Sequence, residues 1–370
     1  MRISRRTLLR HISAGAAAMA GAALRGSRRS LAANGSLIRL DTDANGYGPS
    51  ARAIAAMRRT ASAQRYEARE ENALRNRIAS FHRVTPDQIV LGCGTNEILR
   101  MSAEAFAGAR KNLVVARPTF ASATSSVWRG GANIIEVPLR KDYAHDLEAM
   151  LAAGDGSAGL IYVCNPNNPT GSMTRRGDLD AFLARMPATV HILIDEAYGD
   201  YVGGSSEYAS FLDRQADDRR VIVARTFSSI HGLADLHIGY AVAAHDTAER
   251  LRSHRRQEEI GAGAARAAIA ALDDVAHVRM SATRNADDRQ EFFNQANARM
   301  LRTIDSRTNF VMLNTERPSL EIVEHFKRHD VLVAGSIPSF DRYIRVTIGT
   351  PSAMREFWRV WDLNPHRMMM

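Results

Sequence analysis

Two acids, Asp195 and Glu196, follow directly on the apolar run His191–Ile194. A carboxylate carried into a sheet interior by such a run is costly unless it meets a cation or a strong donor. A protonated pyridine nitrogen would serve. Upstream, Gly92-Cys93-Gly94-Thr95-Asn96-Glu97 forms a glycine turn that opens a helix. The unpaired N–H groups of a helix start can hold a phosphate, although turn and cap chemistry accounts for the same residues equally well. Pro118, Thr119 and Phe120 put an aromatic ring where it could stack on a planar ligand or fill the core. Asn165-Pro166-Asn167-Asn168-Pro169-Thr170-Gly171 is a rigid polar turn, more elaborate than folding alone demands.

These clusters share one position. Each follows a short, β-branched apolar run, and in open α/β sheets ligands bind beyond the carboxyl ends of the strands. The runs are Ile89–Cys93, Asn112–Ala116, Ile134–Val137, Leu160–Cys164, His191–Ile194, Val221–Ala224 and Ile238–Ala243. Helical stretches separate them, with starts such as Thr95 before Ile98, Leu99, Ala103 and Phe106, and Pro49-Ser50 before Ile54 and Met57. The fold class is therefore α/β: a seven-stranded, mostly parallel sheet with helices on both faces. An N-terminal arm over 33–60 leads into this large domain at 61–246. A long Arg- and Ala-rich stretch over 247–275 reads as a connecting helix, and 276–370 as a small α+β domain with strands Asn309–Leu313, Val331–Val333 and Tyr343–Thr347. The arm is expected to pack with the small domain.

The start of the chain is different in kind. Ser4-Arg5-Arg6-Thr7-Leu8-Leu9 precedes a small apolar run, Ile12–Leu24, and then Ser30-Leu31-Ala32. Residues 1–32 read as a twin-arginine signal peptide with a small-x-small cleavage site, directing export to the periplasm. The alternative is a frayed basic N-terminus. The apolar run is shorter than the roughly 20 residues a membrane-spanning helix needs, so membrane contact is expected only through the export machinery, unless an uncleaved leader acts as an anchor. The leader also explains the net charge of +9, because it carries seven Arg and no acid and leaves +2 for the rest. No later basic run is interleaved with aromatics, which argues against nucleic acid as a partner. Cys93 and Cys164 are the only cysteines, too few for a disulfide framework, and read as small buried side chains. Metal-ligand spacing is absent.

Taken in order, the glycine turn with Thr95-Asn96-Glu97, Pro118-Thr119-Phe120, the Asn165–Gly171 turn and Asp195-Glu196-Ala197-Tyr198 resemble the class I/II aminotransferases. So do Thr226-Phe227-Ser228 with Gly232-Leu233-Ala234, Leu236 and Gly239-Tyr240, and Tyr343-Ile344-Arg345-Val346-Thr347-Ile348-Gly349-Thr350-Pro351. The resemblance covers about residues 36 to 360. Within that class, Asp43-Ala44-Asn45-Gly46-Tyr47-Gly48-Pro49 and Arg65-Tyr66 are most similar to histidinol-phosphate aminotransferase and its paralogues.

The resemblance implies the fold-type I architecture, pyridoxal 5′-phosphate as cofactor and a homodimer. It implies that Asp195 pairs with the cofactor's ring nitrogen, that Asn168 and Tyr198 hold its ring hydroxyl, and that Phe120 stacks on the ring. Gly94, Thr95 and Ser228 would meet the phosphate, with Asn96, Thr226 and His237 completing the cofactor-binding set. Tyr66 would reach the phosphate of the neighbouring subunit's cofactor. Tyr47 would line the pocket of a small amino-acid-like or anionic substrate, whose anionic group Arg345 would clamp in bidentate fashion.

The chain departs from the family where its chemistry is concentrated. The family pattern has Lys at 229, Gly at 235 and Arg at 237; here stand Ser229, Asp235 and His237. The family lysine links covalently to the cofactor aldehyde and then moves the proton, and a serine hydroxyl does neither efficiently. Histidine is a smaller donor than arginine and lacks its permanent charge, and losing one charge-assisted bond costs about 1.5–3 kcal/mol. Asp235 would repel the phosphate unless it turns away. The only lysines are Lys111, Lys141 and Lys327, none of which falls near the sheet's carboxyl edge; His231 is a candidate base, but the family often has His there and it reads rather as a neutral structural residue. Serine at 229 therefore occupies the catalytic position, beside Tyr198 and Asp195, and any bound cofactor is expected to be non-covalent.

Three functions are compatible with this pattern. The first is a cofactor-binding protein of the family with little or no transaminase turnover. The second is a working enzyme whose substrate amine reacts directly with the cofactor. The third is an exported dimeric scaffold that uses Arg345 to hold a small anion.

Overall fold

In the computed structural model, residues 37–59, 68–125, 131–154, 156–213, 218–256 and 260–364 are described. The chain divides between Ile38 and Arg39 into two units, and the sheet, helices and cleft considered below belong to the second. After β1 (Ile38–Leu40) and helix α1 (Ala51–Arg58) comes α2 (Ala68–His82), followed by β2 (Ile89–Cys93) and α3 (Thr95–Phe106). The order continues with β3 (Asn112–Arg117), the short α4 (Ser122–Ser125), β4 (Ile134–Pro138), α5 (Leu147–Ala153), β5 (Ala158–Cys164), α6 (Arg176–Arg185), β6 (His191–Asp195), β7 (Val221–Thr226) and β8 (Ile238–Ala243).

The seven expected strands form one sheet in the order β2-β8-β7-β6-β5-β3-β4. Neighbours from β7 through β4 run parallel, whereas β8 is antiparallel to both β7 and β2. Side chains that alternate along each strand bury themselves against opposite layers. Leu160, Tyr162 and Cys164 of β5 join one core with Met101 and Phe106 of α3, while Ile161 and Val163 join another with Leu179 and Phe182 of α6. Burial on both faces is why these strands read as nearly continuous apolar runs.

The antiparallel turn between β7 and β8 decides where the chemistry sits. It folds the segment 227–237 back over the carboxyl edge, so that Thr226 pairs with Gly239, and Gly239 with Gly92. A Cβ on Gly239 would lie 2.5 Å from the backbone nitrogen of Thr95, so glycine is what lets the start of α3 approach this edge.

Beyond the sheet lie α7 (His245–Arg252), α8 (Ala262–Asp273) and the 24-residue α9 (Val275–Ala298). The stretch 247–275 is thus two helices rather than one connecting helix: α7 ends at Arg252, Gly261 caps the start of α8, and the Asp274 side chain caps α9. The N-terminal arm packs differently along its length. Ala53 and Ala56 of α1 are buried, and Ala53 shares a core with Ala265, Ala267 and Ala268 of α8. The turn before α1 instead reaches the C-terminal part, where the Asn309 amide donates to the carbonyl of Asp43 at 2.8 Å.

That part comprises β9 (Phe310–Asn314), α10 (Ser319–Lys327), β10 (Val331–Val333), β11 (Tyr343–Thr347) and α11 (Pro351–Asp362). β9 and β11 pair antiparallel, with Arg345 opposite Met312. An aromatic cluster fixes α11: Phe357 stacks on Phe326 at 4.8 Å, and Phe292 of α9 packs on Trp358 at 5.0 Å.

Candidate active-site cleft

Of the two acids that end β6, one has a cation and the other does not. Glu196 is 1% exposed and accepts from the Arg225 guanidinium at 2.8 and 3.0 Å, and from the Phe211 N–H at 2.7 Å. Asp195 is 2% exposed and, among the described residues, accepts only from neutral donors, the Tyr162 hydroxyl at 3.0 Å and the Ala197 N–H at 3.1 Å. Burial pushes its pKa up to about 6, against the pull of those two donors; the charges of Glu196 and Asp43 act in the same direction as burial. Among the described residues, the Asp195 carboxyl is thus a buried anion site that lacks a cation.

It faces a cleft of about 160 Å³. The walls are Asp43, Cys93, Gly94, Thr95, Asn96, Phe120, Cys164, Ala197, Tyr198, Thr226, Ser228, Ser229 and His237, every one from a strand's carboxyl end or from the turn or helix start after it, except Asp43. Larger open grooves beside α10 and between α1 and α8, about 470 and 610 Å³, have no comparable set of converging groups.

One end of the cleft suits an anion. Gly94 at φ +75° starts the 12-residue α3, and the Glu97 carboxylate folds back to accept from the Cys93 N–H at 2.7 Å. The first N–H groups of a helix have no intrahelical partner and carry the positive end of its dipole. Ser228 and His237 complete this end, with the Ser228 N–H held by the Thr226 hydroxyl at 3.0 Å. No lysine or arginine lines the cleft among the described residues. Asp235 is exposed and is not a wall residue, so the repulsion feared from its carboxylate does not arise within the cleft.

Phe120 lines the cleft and also packs on the main core. Opposite the anion end, Tyr198 heads a chain of hydrogen bonds. Its hydroxyl donates to the Asp43 carboxylate and accepts from the Asn168 amide at 2.9 Å, and Arg345 donates to the other side of Asn168 at 2.9 Å. A second Arg345 nitrogen donates to the Asp41 carbonyl at 3.2 Å, and its Nε is buried without a partner. Asn168 and Arg345 therefore stand one step behind Tyr198. Burial and the Asp43 charge hold the Tyr198 phenol protonated. The turn carrying Asn168 is rigid: Asn167 donates to the Pro118 carbonyl at 3.1 Å and accepts from the Thr119 hydroxyl at 2.8 Å.

Ser229 is 2% exposed at the cleft, and its hydroxyl donates to the Ala197 carbonyl at 2.6 Å. The lysines are elsewhere. Lys111 donates to the Gly156 carbonyl at 3.3 Å, Lys327 lies 3.7 Å from Glu324, and Lys141 is exposed. His231 is buried against Phe227 at a ring distance of 5.0 Å, outside the cleft walls, and burial lowers its pKa.

One expected residue, Tyr47, lies apart from this constellation. The Tyr47 hydroxyl donates to Asp288 of α9, with the Arg284 guanidinium over its ring at 5.1 Å, and Tyr47 is not a wall residue. Tyr66 lies outside the described residues. Asp43, Cys93, Cys164 and Ala197 join the walls without having been singled out as site residues. Neither cysteine forms a disulfide; burial and Asp195 push the Cys164 thiol well up, keeping it protonated.

The residues fit pyridoxal phosphate. A buried acid without a cation faces a space bounded by an aromatic ring, a hydrogen-bonding phenol and a helix start, matching a planar protonated ring with a phosphate arm.

Comparison with known proteins agrees. A family model, aminotransferase class I and II, matches residues 36–360. The histidinol-phosphate aminotransferase of Moorella thermoacetica is 35% identical over 87% of this chain and 84% of its own length. That of Bacillus subtilis is 34% identical over 77% and 79%. Among solved structures, the Sinorhizobium meliloti histidinol-phosphate aminotransferase in complex with pyridoxal-5′-phosphate superposes with a TM-score of 0.83 at 25% identity, covering 93% of this chain and 99% of that one. A putative histidinol-phosphate aminotransferase from Erwinia carotovora atroseptica gives a TM-score of 0.82 at 28% identity, covering 90% and 96%.

Proposed function

We propose, from the premise that the chain belongs to the aminotransferase class I and II family, that it is an exported histidinol-phosphate-aminotransferase-like protein that binds its cofactor without a covalent link and has little or no transaminase turnover. The cofactor is pyridoxal phosphate. When bound, it supplies an electron sink for charge developing at a carbon beside the substrate nitrogen.

The chain's own residues supply the rest. Asp195 provides the counter-charge for a protonated ring nitrogen, and Phe120 the stacking face. Tyr198, held from behind by Asn168, accepts from the ring hydroxyl. The start of α3 at Gly94, Thr95 and Asn96, with Thr226, Ser228 and His237, holds the phosphate by hydrogen bonds and helix dipole rather than by a guanidinium. Arg345, anchored through Asn168, orients an anionic substrate group. The working form is a homodimer, as membership of the family implies.

The observation that carries the proposal is Ser229. Its hydroxyl is committed to the Ala197 carbonyl at the cleft wall, and the three lysines lie away from it. An alcohol at neutral pH neither forms the covalent link nor accepts the proton that turnover must move. Titration of pyridoxal phosphate into the purified protein should show saturable binding that dialysis reverses, with no amine turnover above that of free cofactor. Wild-type turnover clearly above that of free cofactor would overturn the reading.

Export rests on the Arg5-Arg6 leader. Replacing both arginines by lysine should retain the chain inside the cell; export unaffected by that change would refute the signal. A second reading, a scaffold for small anions, rests on the buried, unpartnered Nε of Arg345. It requires carboxylate binding in the absence of cofactor that Arg345→Ala abolishes.

A further inference from the structure

The donors at the lysine-less end of the cleft are already used. The Tyr198 hydroxyl donates to Asp43, and the Ser229 hydroxyl donates to Ala197. What remains are acceptor sites: the carboxylate oxygens of Asp43 and the lone pairs of Ser229. An aldehyde oxygen only accepts, so it would meet acceptors. An alkylammonium carries three donors and no acceptor, and is charged at neutral pH like a lysine.

The charge count points the same way. Two carboxylates, Asp43 and Asp195, line the cleft without a lysine or arginine among the described wall residues. A protonated ring nitrogen can neutralise only one of them. Asp43 forms no ion pair among the described residues, since the Arg345 nitrogens go to Asn168 and to the Asp41 carbonyl or remain unpartnered. Its position is also fixed in advance. The Asn309 amide grips the Asp43 carbonyl at 2.8 Å, and the next turn is pinned by the Asn45 amide on the Ile230 carbonyl at 2.8 Å. A carboxylate held in place this way meets a cation without first paying to be ordered.

We propose that the cleft selects the amine form of the cofactor, pyridoxamine 5′-phosphate, over the aldehyde form, with Asp43 as the ammonium's counter-charge and Ser229 as a neutral acceptor beside it. The proposal rests on the reading above that the cleft holds this cofactor non-covalently. In an enzyme with an active-site lysine, the covalent link offsets the preference for the amine. Here nothing offsets it.

Calorimetric titration of the full protein with three ligands of the same ring and phosphate tests this: pyridoxamine 5′-phosphate, pyridoxal 5′-phosphate and 4′-deoxypyridoxine 5′-phosphate. The last replaces the amine by hydrogen and cannot react with surface lysines, so it isolates the ammonium's contribution. Pyridoxamine phosphate should bind at least tenfold more tightly than either of the others, and Asp43→Asn, which keeps an acceptor for Tyr198, should remove most of that gap. Equal or weaker binding of the amine form would overturn the selection while leaving the cofactor reading intact. A gap that persists in a folded Asp43→Asn protein, checked by thermal melting, would remove Asp43 from its role. Should that variant fail to fold, the wild-type comparison still decides the selection. Failure of all three ligands to bind would overturn both readings.

Discussion

The Ser229 hydroxyl donates to the backbone carbonyl of Ala197 at 2.6 Å, tying the β7–β8 turn to the end of β6 at the wall of the cleft. Both partners are local backbone-edge groups, so the serine is integrated into the fold rather than left over in it. The following chain turns on Gly232 at φ +69°, where a Cβ would lie 2.4 Å from the Gly48 carbonyl carbon. The turn thus keeps its tight packing while the group at 229 is a short alcohol.

Asp195→Asn should change stability and cofactor binding in opposite directions. The folded-state pKa of Asp195 lies at about 6, above the usual 3.8, so the folded protein binds more protons than the unfolded chain between those values. Cofactor-free stability therefore falls as pH rises from about 4 to about 6, and the cost, up to about 3 kcal/mol, is fully present above that window. Asparagine removes the cost. Denaturant melts at pH 8 should show a more stable cofactor-free variant, and titration should show weaker cofactor binding. A variant that is less stable and binds normally would contradict the assignment.

His237→Arg should restore a permanent charge at the phosphate end. His237 is exposed at the cleft mouth, so the gain is expected near the low end for a charge-assisted bond, about tenfold in affinity. Inorganic phosphate competing against the cofactor would report it, because phosphate senses this end alone. No change in either affinity would place the dianion elsewhere.

Gly239→Ala should damage the same end by sterics. The new methyl group would meet the Thr95 nitrogen at 2.5 Å and the Gly94 carbonyl carbon at 2.6 Å, forcing β8 away from the start of α3. Overpacking of this kind costs about 1–3 kcal/mol. Thermal melting should show that loss together with weakened phosphate competition; normal behaviour in both would show that the turn has slack.

The strands were legible because burial on both faces leaves an unbroken apolar signature, and the start of α3 because Gly94-Thr95 marks it. The two acids after β6 were legible as a pair, but not their division of labour. Glu196 meets Arg225, which the run Val221–Thr226 gives no reason to aim at it. The role of Asp43 was hidden for the same reason. It contacts Tyr198 across 155 residues of sequence, from a Gly- and Pro-rich turn with no periodicity to reveal which way it faces. The acid inside the Asp43–Pro49 motif was the available signal, in a chain with few lysines to answer it. The break between α7 and α8 was marked by Gly261 and Gly263, but the Arg-rich run before them and the Ala-rich run after them favour helix and read as one element.

Borohydride reduction of the cofactor-loaded protein, followed by peptide mass mapping, tests the central claim most directly. Wild type should carry no stoichiometric hydride-stable cofactor on any peptide, with at most trace label on those containing Lys111, Lys141 or Lys327, whereas Ser229→Lys should acquire one equivalent at position 229. One equivalent on a single lysine of the wild-type chain would contradict the account, because the amine missing from the cleft would then have been supplied from elsewhere in the fold.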